Sequence, residues 1–478
     1  MQIQELVKLI RRNKFNGISG NSKTVKKGFI FVAVKGARLD GNKFIKEAID
    51  KGAKVIVGES KDLRNNNLKD ILTVPVKDTR KAIAKLAVEF YKNPSDKIKV
   101  VGVTGTNGKT TITYLIEELL RKSGHNPGVI GTINYRYNNM VIPAKNTTPG
   151  PIEIQSIISD MQNRKVDYLA MEVSSHALDQ SRVLGVNFHS AIFTNLTQDH
   201  LDYHKTLNNY FLSKAKLFTE LSRKAFCVIN NDDKFAVRLK KMTPAKVITY
   251  GIRNKSSVMA RDIKFNVTHT EFLLITPRGE IRIRTSLIGI HNVYNILATC
   301  AWGLEAGIKL SKIQSAISDF KIVPGRLERI NTDKGFSIFV DYAHTDDALK
   351  NVIGTLRHLH PKRIITVFGC GGERDKLKRP KMGKVATALS DFAIITSDNP
   401  RSENPKAIIE DVLKGIENTN YCTFVDRFKA IKKALSLARA GDIVLVAGKG
   451  HEDYQVLNTG PIPFDDRKVV RECLRFLS

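Results

Sequence analysis

The sequence predicts an α/β protein of three domains: a smaller N-terminal α/β domain, a central parallel sheet carrying a phosphate loop, and a C-terminal Rossmann-like doubly wound domain. Three observations carry this. The chain has 478 residues, too many for one hydrophobic core and suited to domains of about 100–200 residues. From Lys97 onward, apolar runs rich in β-branched residues alternate with helical patterns, the rhythm of βαβ units on a parallel sheet. One such run, VVGV at 100–103, leads through a glycine-rich turn directly into a helical pattern, which is how a strand-turn-helix phosphate site is built.

The elements follow in order. Residues 1–96 hold strand-like runs FIFVAV (29–34) and KVIVG (54–58), a helix ending near Tyr91 and the breaker segment KNPSDK. Residues 97–325 form the central domain, with strands VVGV (100–103), YLAMEV (168–173), SAIFTN (190–195) and AFCVIN (225–230), and helices starting at Thr110, Pro151 and Leu207. VPGR at 323–326 reads as the hinge out of it. Residues 326–478 repeat the rhythm in SIFVDY (337–342), RIITVFG (363–369), FAIITS (392–397), CTFV (422–425) and DIVLVAG (442–448). Ligands of open α/β sheets sit at the carboxyl ends of strands, and the motifs below fall at those ends.

Composition narrows the class. Hydrophobic content of 42% and charged content of 26% are those of a folded protein, and no apolar run approaches the ~20 residues that span a bilayer. The opening MQIQELVKLIRRNKFNG lacks the apolar run and cleavage site of a secretory signal, so a cytoplasmic protein without membrane insertion is expected. Five cysteines are odd in number, widely spaced and without a C-x-x-C pair, which predicts reduced core thiols and no zinc site. The net charge of +30 invites a nucleic-acid reading. The basic residues are spread along the whole chain and aromatics are 7%, thin for base stacking; a polyanionic substrate or a lysine-rich proteome explains the charge equally well. No nucleic-acid partner is expected.

The turn at 105–111 supplies Gly105, Thr106, Asn107, Gly108, Lys109, Thr110 and Thr111. Its glycines let the backbone wrap a phosphate, the helix N-terminus offers free N–H groups, Lys109 adds a cation and Thr110 a hydroxyl for Mg²⁺. ATP binding is expected, although Val103 stands where the strict phosphate-loop pattern begins with glycine. Glu172 and His200 follow neighbouring strands and are placed to hold Mg²⁺ against phosphate oxygens. Either residue taken alone reads as surface or satisfied core.

Four segments, TGTNGKTT (104–111), EVSSHAL (172–178), NLTQDHLDYH (195–204) and YFLSKAKLF (210–218), resemble the Mur ligase family, within the superfamily that also holds the folylpolyglutamate synthases. The resemblance implies an ATP-dependent amide ligase that adds the third residue to the peptidoglycan precursor peptide. It implies that Lys109, Glu172, His200 and Lys214 are catalytic, that Thr110, Glu172 and His200 ligate magnesium, and that Lys214 is carbamylated to N6-carboxylysine. A carbamate turns a cation into an anion able to hold a second metal, whereas an ammonium would repel it; the assignment of Lys214 rests on the resemblance alone.

GNSKTVKKGFIFVAVKGARLDGNKFI (20–45) resembles the segment with which this branch of the family holds uridine diphosphate, with Asn21-Ser22-Lys23 where Asp-Ser-Arg is usual. In NTTPGPIEIQ (146–155), Thr147 and Thr148 read either as helix caps or, by the resemblance, as contacts to the UDP-linked muramoyl dipeptide together with Ser175, Gln180 and Arg182. The Arg182 fork suits a peptide carboxylate. In LIGIHNVYNILAT (287–299), Asn292 and Asn295 lie three apart on one helix face, placed to read an adenine edge or to serve packing and capping. The resemblance adds Arg326 of VPGR to the ATP contacts.

Four loops of the last domain, DYAHTDDAL (341–349), FGCGGERDKLKRP (368–380), SDNPRSENP (397–405) and GKGHEDYQ (448–455), resemble the same family, with Asp346 where it commonly has proline. There Asp398, Asn399, Pro400 and Arg401 mark enzymes that add meso-diaminopimelate. An arginine clamps the distal carboxylate of that amino acid and repels the distal ammonium of lysine. Arg374, Gly448 and Glu452 complete the implied pocket, Glu452 being suited to the distal ammonium. The expected protein is a monomer acting on small molecules. Its rivals are another ligase of the superfamily, which should lack the EVSSH and DNPR motifs, a basic ATP-dependent nucleic-acid binder, and an inactive scaffold, which the filled catalytic positions disfavour.

Overall fold

Period-two alternation in the first 90 residues puts each apolar side chain on one of two sheet faces, and both faces are covered. In the computed structural model, which describes residues 1–36, 39–64 and 71–476, strands β1 (Gly17–Ser19), β2 (Phe29–Val32), β3 (Val55–Glu59) and β4 (Leu72–Val76) form a parallel sheet in the order β1-β2-β3-β4. Ile30, Val32, Val55 and Val57 bury against Leu6, Ile10, Ile83 and Leu86 of the helices Ile3–Arg11 and Thr79–Phe90. Phe31, Ala33 and Ile56 bury on the other face with Val25, Ile45 and Ala48. A parallel sheet requires this double covering.

The chain divides into two compact units, Met1–Ser257 with Ala298–Lys312, and Val258–Leu297 with Ile313–Ser478. The second sheet of the first unit is built from β5 (Lys99–Thr104), β6 (Pro127–Ile130), β7 (Asn134–Tyr137), β8 (Met140–Pro143), β9 (Tyr168–Glu172), β10 (Phe188–Phe193), β11 (Phe226–Asn230) and β12 (Lys246–Gly251), in the order β12-β11-β10-β5-β9-β6-β7-β8. Pairing is parallel except along β6-β7-β8. β5 lies between β9 and β10, with Thr104 opposite Phe193 and Val103 opposite Glu172. The loops after these three strands therefore emerge side by side. Helices Lys109–Lys122, Pro151–Asn163 and Leu207–Thr219 start within one residue of the predicted positions.

The second unit holds an antiparallel meander of β13 (Val258–Phe265), β14 (Thr270–Thr276) and β15 (Gly279–Thr285). It also holds a sheet of β16 (Glu328–Ile330), β17 (Ser337–Asp341), β18 (Ile364–Cys370), β19 (Phe392–Ser397), β20 (Tyr421–Phe424) and β21 (Ile443–Ala447) in the order β16-β17-β21-β18-β19-β20, and a hairpin of β22 (Tyr454–Leu457) and β23 (Gly460–Pro463). All sheet pairings but β16 with β17 are parallel. Separate apolar cores cover its two faces, one around Phe339, Phe368 and Leu445, the other around Ile338, Val444 and Ile431. The five predicted strands are β17 to β21.

A buried ion pair fastens the end of β21. Arg427, the first residue of the helix Arg427–Leu437, donates from Nε and Nη2 to the two carboxylate oxygens of Asp466, each at 2.7 Å, and from Nη2 to the Ala447 carbonyl at 2.9 Å. Both side chains are fully buried. Removing one member leaves the other as an uncompensated buried charge. Arg427→Ala is expected to lower unfolding stability by about 3–5 kcal/mol in denaturant titration, with the Arg427→Met, Asp466→Leu pair losing clearly less.

Candidate active site

The loop after β5 is shaped by two glycines. Gly105 has φ 150°, and a Cβ there would lie 1.8 Å from Thr194 Oγ1. Gly108 has φ 88° and turns the chain into the helix Lys109–Lys122, a conformation that favours glycine. The end of β10 braces the loop. Thr194 Oγ1 donates to the Asn107 carbonyl (2.6 Å), Asn107 N to Asn195 Oδ1 (3.0 Å) and Thr106 N to the Asn195 carbonyl (2.9 Å). Val103 is a fully buried strand residue paired on both sides, so the turn begins two residues after the place where the strict pattern puts glycine.

Four of the predicted residues meet around this loop. Lys109 Nζ donates to the carbonyls of Gly105 and Thr106, both at 2.8 Å. Lys214 Nζ donates to the same Gly105 carbonyl at 2.7 Å and lies 4.7 Å from the centre of the Tyr210 ring. Burial, reinforced by the Lys109 ammonium, holds the Lys214 pKa well below the ordinary lysine value. Glu172, at the tip of β9, is buried, and neutral donors meet its carboxylate: Thr110 Oγ1 at 3.1 Å, Thr132 N at 2.9 Å and Thr132 Oγ1 at 3.0 Å. Buried carboxylates are paired or metal-bound as a rule. An oxygen-rich anionic corner beside a phosphate loop suits a hard divalent cation that takes further oxygens from phosphate.

His200 sits in a left-handed turn (φ 53°) ahead of the helix Leu201–His204. Its ring lies 4.8 Å from that of His176 and 6.2 Å from that of Tyr210. Burial lowers its pKa, with the side chains of Lys109 and Lys214 acting in the same sense and Asp199 against them. His204 was not singled out from sequence. It is buried, with Nε2 3.0 Å from Ser175 Oγ and Nδ1 3.4 Å from Ser213 Oγ.

A cavity of about 480 Å³ in the first unit is lined by Gly20, Val34, Arg80, Gly150, Gln180 and Arg182, among others. Arg182 donates to Gln180 Oε1 from Nε (3.1 Å) and Nη2 (2.8 Å) and to the Thr148 carbonyl (2.9 Å). Thr148 Oγ1 in turn donates to the Glu172 carbonyl (2.8 Å) and accepts from Ser174 N (3.0 Å). The predicted Thr148, Gln180 and Arg182 are thus one network, and Thr147 Oγ1 lies 3.1 Å from Thr132 Oγ1. Ser22 is buried and donates to Glu47 (2.7 Å). Ala37 and Arg38, in the segment likened to a uridine site, lie outside the described residues. Arg80 is a lining cation that sequence reading passed over, because one arginine at the start of an N-terminal helix carries no local signal.

In the second unit, Asn292 and Asn295 are buried and bonded to each other, Asn295 Nδ2 to Asn292 Oδ1 at 3.1 Å, with Asn292 Nδ2 on the Ile288 carbonyl at 2.9 Å. Arg326 lies 4.9 Å from the centre of the Tyr342 ring. The loops after β18, β19 and β21 converge. Arg401 has φ 55°; its N–H meets the Val456 carbonyl (3.0 Å) and its Nη1 the Gly372 carbonyl (2.7 Å). Asn399 Nδ2 donates to Glu452 Oε2 (2.8 Å), and the fully buried Lys449 donates to both Asn399 Oδ1 (3.1 Å) and Glu452 Oε2 (3.0 Å). A Cβ on Gly448 would lie 2.7 Å from Asp398 Oδ2. Pro400 is buried and Arg374 is exposed on the neighbouring loop. Lys449 was missed because only the fold shows that this lysine of GKGH is buried.

Comparison with known proteins gives matches along most of the chain. Residues 14–91 match the family described as Mur ligase family, catalytic domain, residues 103–303 the Mur ligase middle domain, and residues 325–450 the Mur ligase, glutamate ligase domain. The UDP-N-acetylmuramoyl-L-alanyl-D-glutamate--2,6-diaminopimelate ligase of Clostridium botulinum is 46% identical over 471 residues, which is 98% of this chain and 97% of that protein. A solved structure of a ligase of the same name has a TM-score of 0.70 at 32% identity, covering 97% of this chain and 95% of that one. The MurF ligase of Thermotoga maritima, solved in complex with ADP, shares the fold at a TM-score of 0.64 and 20% identity, covering 96% of this chain and 97% of that one.

The depressed Lys214 pKa has a thermodynamic signature. Between its folded pKa and the ~10.4 of an unfolded lysine, the unfolded chain binds one more proton than the folded chain, so stability rises with pH through that window. In CO₂-free buffer, Lys214→Met is expected to remove this rise and to be more stable than the parent at pH 7, the gap narrowing towards pH 10. Parallel pH profiles of the two proteins in chemical denaturation check it.

Proposed function

This chain belongs to the Mur ligase family, and from that premise we propose that it joins meso-2,6-diaminopimelate to UDP-N-acetylmuramoyl-L-alanyl-D-glutamate at the expense of ATP, forming the tripeptide precursor of peptidoglycan. Relatives of that name match nearly the whole chain. The observation that carries the reading is the junction of Thr110, Glu172 and Thr148. One hydrogen-bonded run joins the phosphate loop to the wall of the Arg182 network, and a ligase needs ATP and a carboxylate at one place.

The chemistry follows from what those groups do. A carboxylate is a poor electrophile, so its oxygen first takes the γ-phosphoryl group of ATP, releasing ADP. The amine of the incoming amino acid then attacks the acyl carbon and displaces phosphate. Lys109 exchanges its two loop carbonyls for phosphate oxygens, and the loop N–H groups steady the charge on the transferred group. Thr110, Glu172, His200 and a carbamate on Lys214 would hold Mg²⁺, which neutralises charge on the phosphoryl oxygens. Burial lowers the Lys214 pKa and so favours the neutral amine, the form that combines with CO₂, which supports the carbamate. Arg182 is suited to a carboxylate of the dipeptide, and Asn292, Asn295 and Arg326 to ATP. Arg401, with Arg374, clamps the distal carboxylate of diaminopimelate, and Glu452 meets its distal ammonium. A cytoplasmic monomer is the simplest setting for these water-soluble substrates; no helix among the described residues is long and apolar enough to cross a membrane.

Phosphate release with ATP, Mg²⁺ and UDP-MurNAc-L-Ala-D-Glu is expected with meso-diaminopimelate and not with L-lysine. Turnover with lysine alone would overturn the amino-acid assignment, and none with either would overturn the ligase reading. Arg401→Ala is expected to raise KM for diaminopimelate roughly 10- to 100-fold, the range of a charge-assisted hydrogen bond. Arg401→Lys should recover little, since an ammonium lacks the fork.

A further inference from the structure

We propose that His204 is a positioning residue that couples occupancy of the dipeptide seat to the Lys214 helix. This rests on the ligase reading above, with Ser175 taken as a contact to one of the carboxylates of the dipeptide. His204 closes the short helix that His200 begins, its N–H on the His200 carbonyl at 2.9 Å. Its ring lies between two hydroxyls, Ser175 Oγ at 3.0 Å from Nε2 and Ser213 Oγ at 3.4 Å from Nδ1. Ser175 opens the helix that follows β9 and Glu172, and Ser213 immediately precedes Lys214. The same ring packs 5.2 Å from that of Tyr210, whose hydroxyl lies 3.2 Å from Thr106 Oγ1 in the phosphate loop. One buried side chain thus touches two helices besides its own, and each of them carries a residue assigned to the reaction.

The coupling follows from counting protons. A neutral imidazole has one donor and one acceptor nitrogen, and each serine hydroxyl has one proton to give. Without an anion, Ser175 can donate to Nε2, and Nδ1–H then donates to Ser213. A substrate anion that takes the Ser175 proton in a hydrogen bond leaves Ser175 only as an acceptor towards His204. Nε2 must then carry the ring proton, and Nδ1 accepts from the Ser213 hydroxyl. The ring proton moves from Nδ1 to Nε2 through solvent, with no change in net charge. Filling the dipeptide seat therefore reverses the hydrogen bond next to Lys214.

The test uses the full-length enzyme after turnover with diaminopimelate has been confirmed, so that failure of the ligase reading is seen first. Ring-¹⁵N histidine labelling, with the His204 signals identified by their loss in His204→Gln, reports the tautomer. Saturation with UDP-MurNAc-L-Ala-D-Glu is expected to give the Nε2–H form, and a free-enzyme tautomer that does not change would overturn the proposal. In kinetics, His204→Ala is expected to raise KM for the UDP-dipeptide roughly tenfold, about one hydrogen bond, with KM for ATP unchanged. His204→Gln, whose amide reaches the Nε2 position and keeps a donor to Ser175, should recover most of that loss, whereas His204→Asn, which reaches only the Nδ1 position, should not. Equal KM in all three variants, or no recovery by glutamine, would overturn it.

Discussion

The carbonyl oxygen of Gly105 accepts hydrogen bonds from two lysines, Lys109 and Lys214, and the arrangement of the nucleotide side of the molecule depends on it. Two ammonium groups on one acceptor repel each other, and one of them is also fully buried. Burial disfavours the charged form of an amine, and the neighbouring charge adds to that. The buried member, Lys214, is the one whose pKa falls well below the ordinary lysine value. The chain at Gly105 runs against Thr194 too closely for a side chain.

The second unit places its buried charges beside partners of opposite sign. Arg427 has Asp466, and Lys449 has Glu452 with the Asn399 amide. Arg379, almost fully buried, has Glu403 and Asp411, and its hydrogen bond pulls the Glu403 carboxyl down to about 2. Arg427 and Asp466 join the first turns of two helices, Lys449 reaches from its own loop to Asn399 of the loop after β19, and Arg379 joins its helix to Glu403 and Asp411. Such pairs add little net stability when compared with apolar packing. What they supply here is position: the loops after β18, β19 and β21 are held by partners that come from distant stretches of sequence.

That dependence on distant partners marks the limit of what could be read from the sequence. β2, β3, β5, β9 to β11 and β17 to β21 were legible because a buried parallel strand is a continuous apolar run. The meander β13-β14-β15 was not, because strands such as VMARDIKF and GEIRIRT interleave charged with apolar residues, and β1 and β16 have three residues each. Among site residues, those inside a strand-end motif were legible, and the network of Thr148, Gln180 and Arg182 came together as one. Arg80, His204, Lys449 and Arg427 were not, because each has its role through a partner or a cavity that folding brings to it. The departure at Val103 resolved itself once the strand was seen to continue to Thr104.

Arg401 shows how backbone and charge act together. Its left-handed φ of 55° is costly for a residue with a long side chain, and two hydrogen bonds hold it there, the N–H on Val456 and the guanidinium on Gly372. The guanidinium is therefore fixed before any ligand arrives, and a fixed donor loses less entropy on binding than a free one. Glu452, in contrast, already shares one carboxylate oxygen with Lys449 and Asn399, so part of its negative charge is spent inside the protein. A pocket with one fixed cation and one partly neutralised anion favours a ligand end carrying both a carboxylate and an ammonium over an end carrying an ammonium alone. In the proposed pocket, discrimination between the two amino acids would rest on Lys449 as well as on Arg401, through the charge it removes from Glu452.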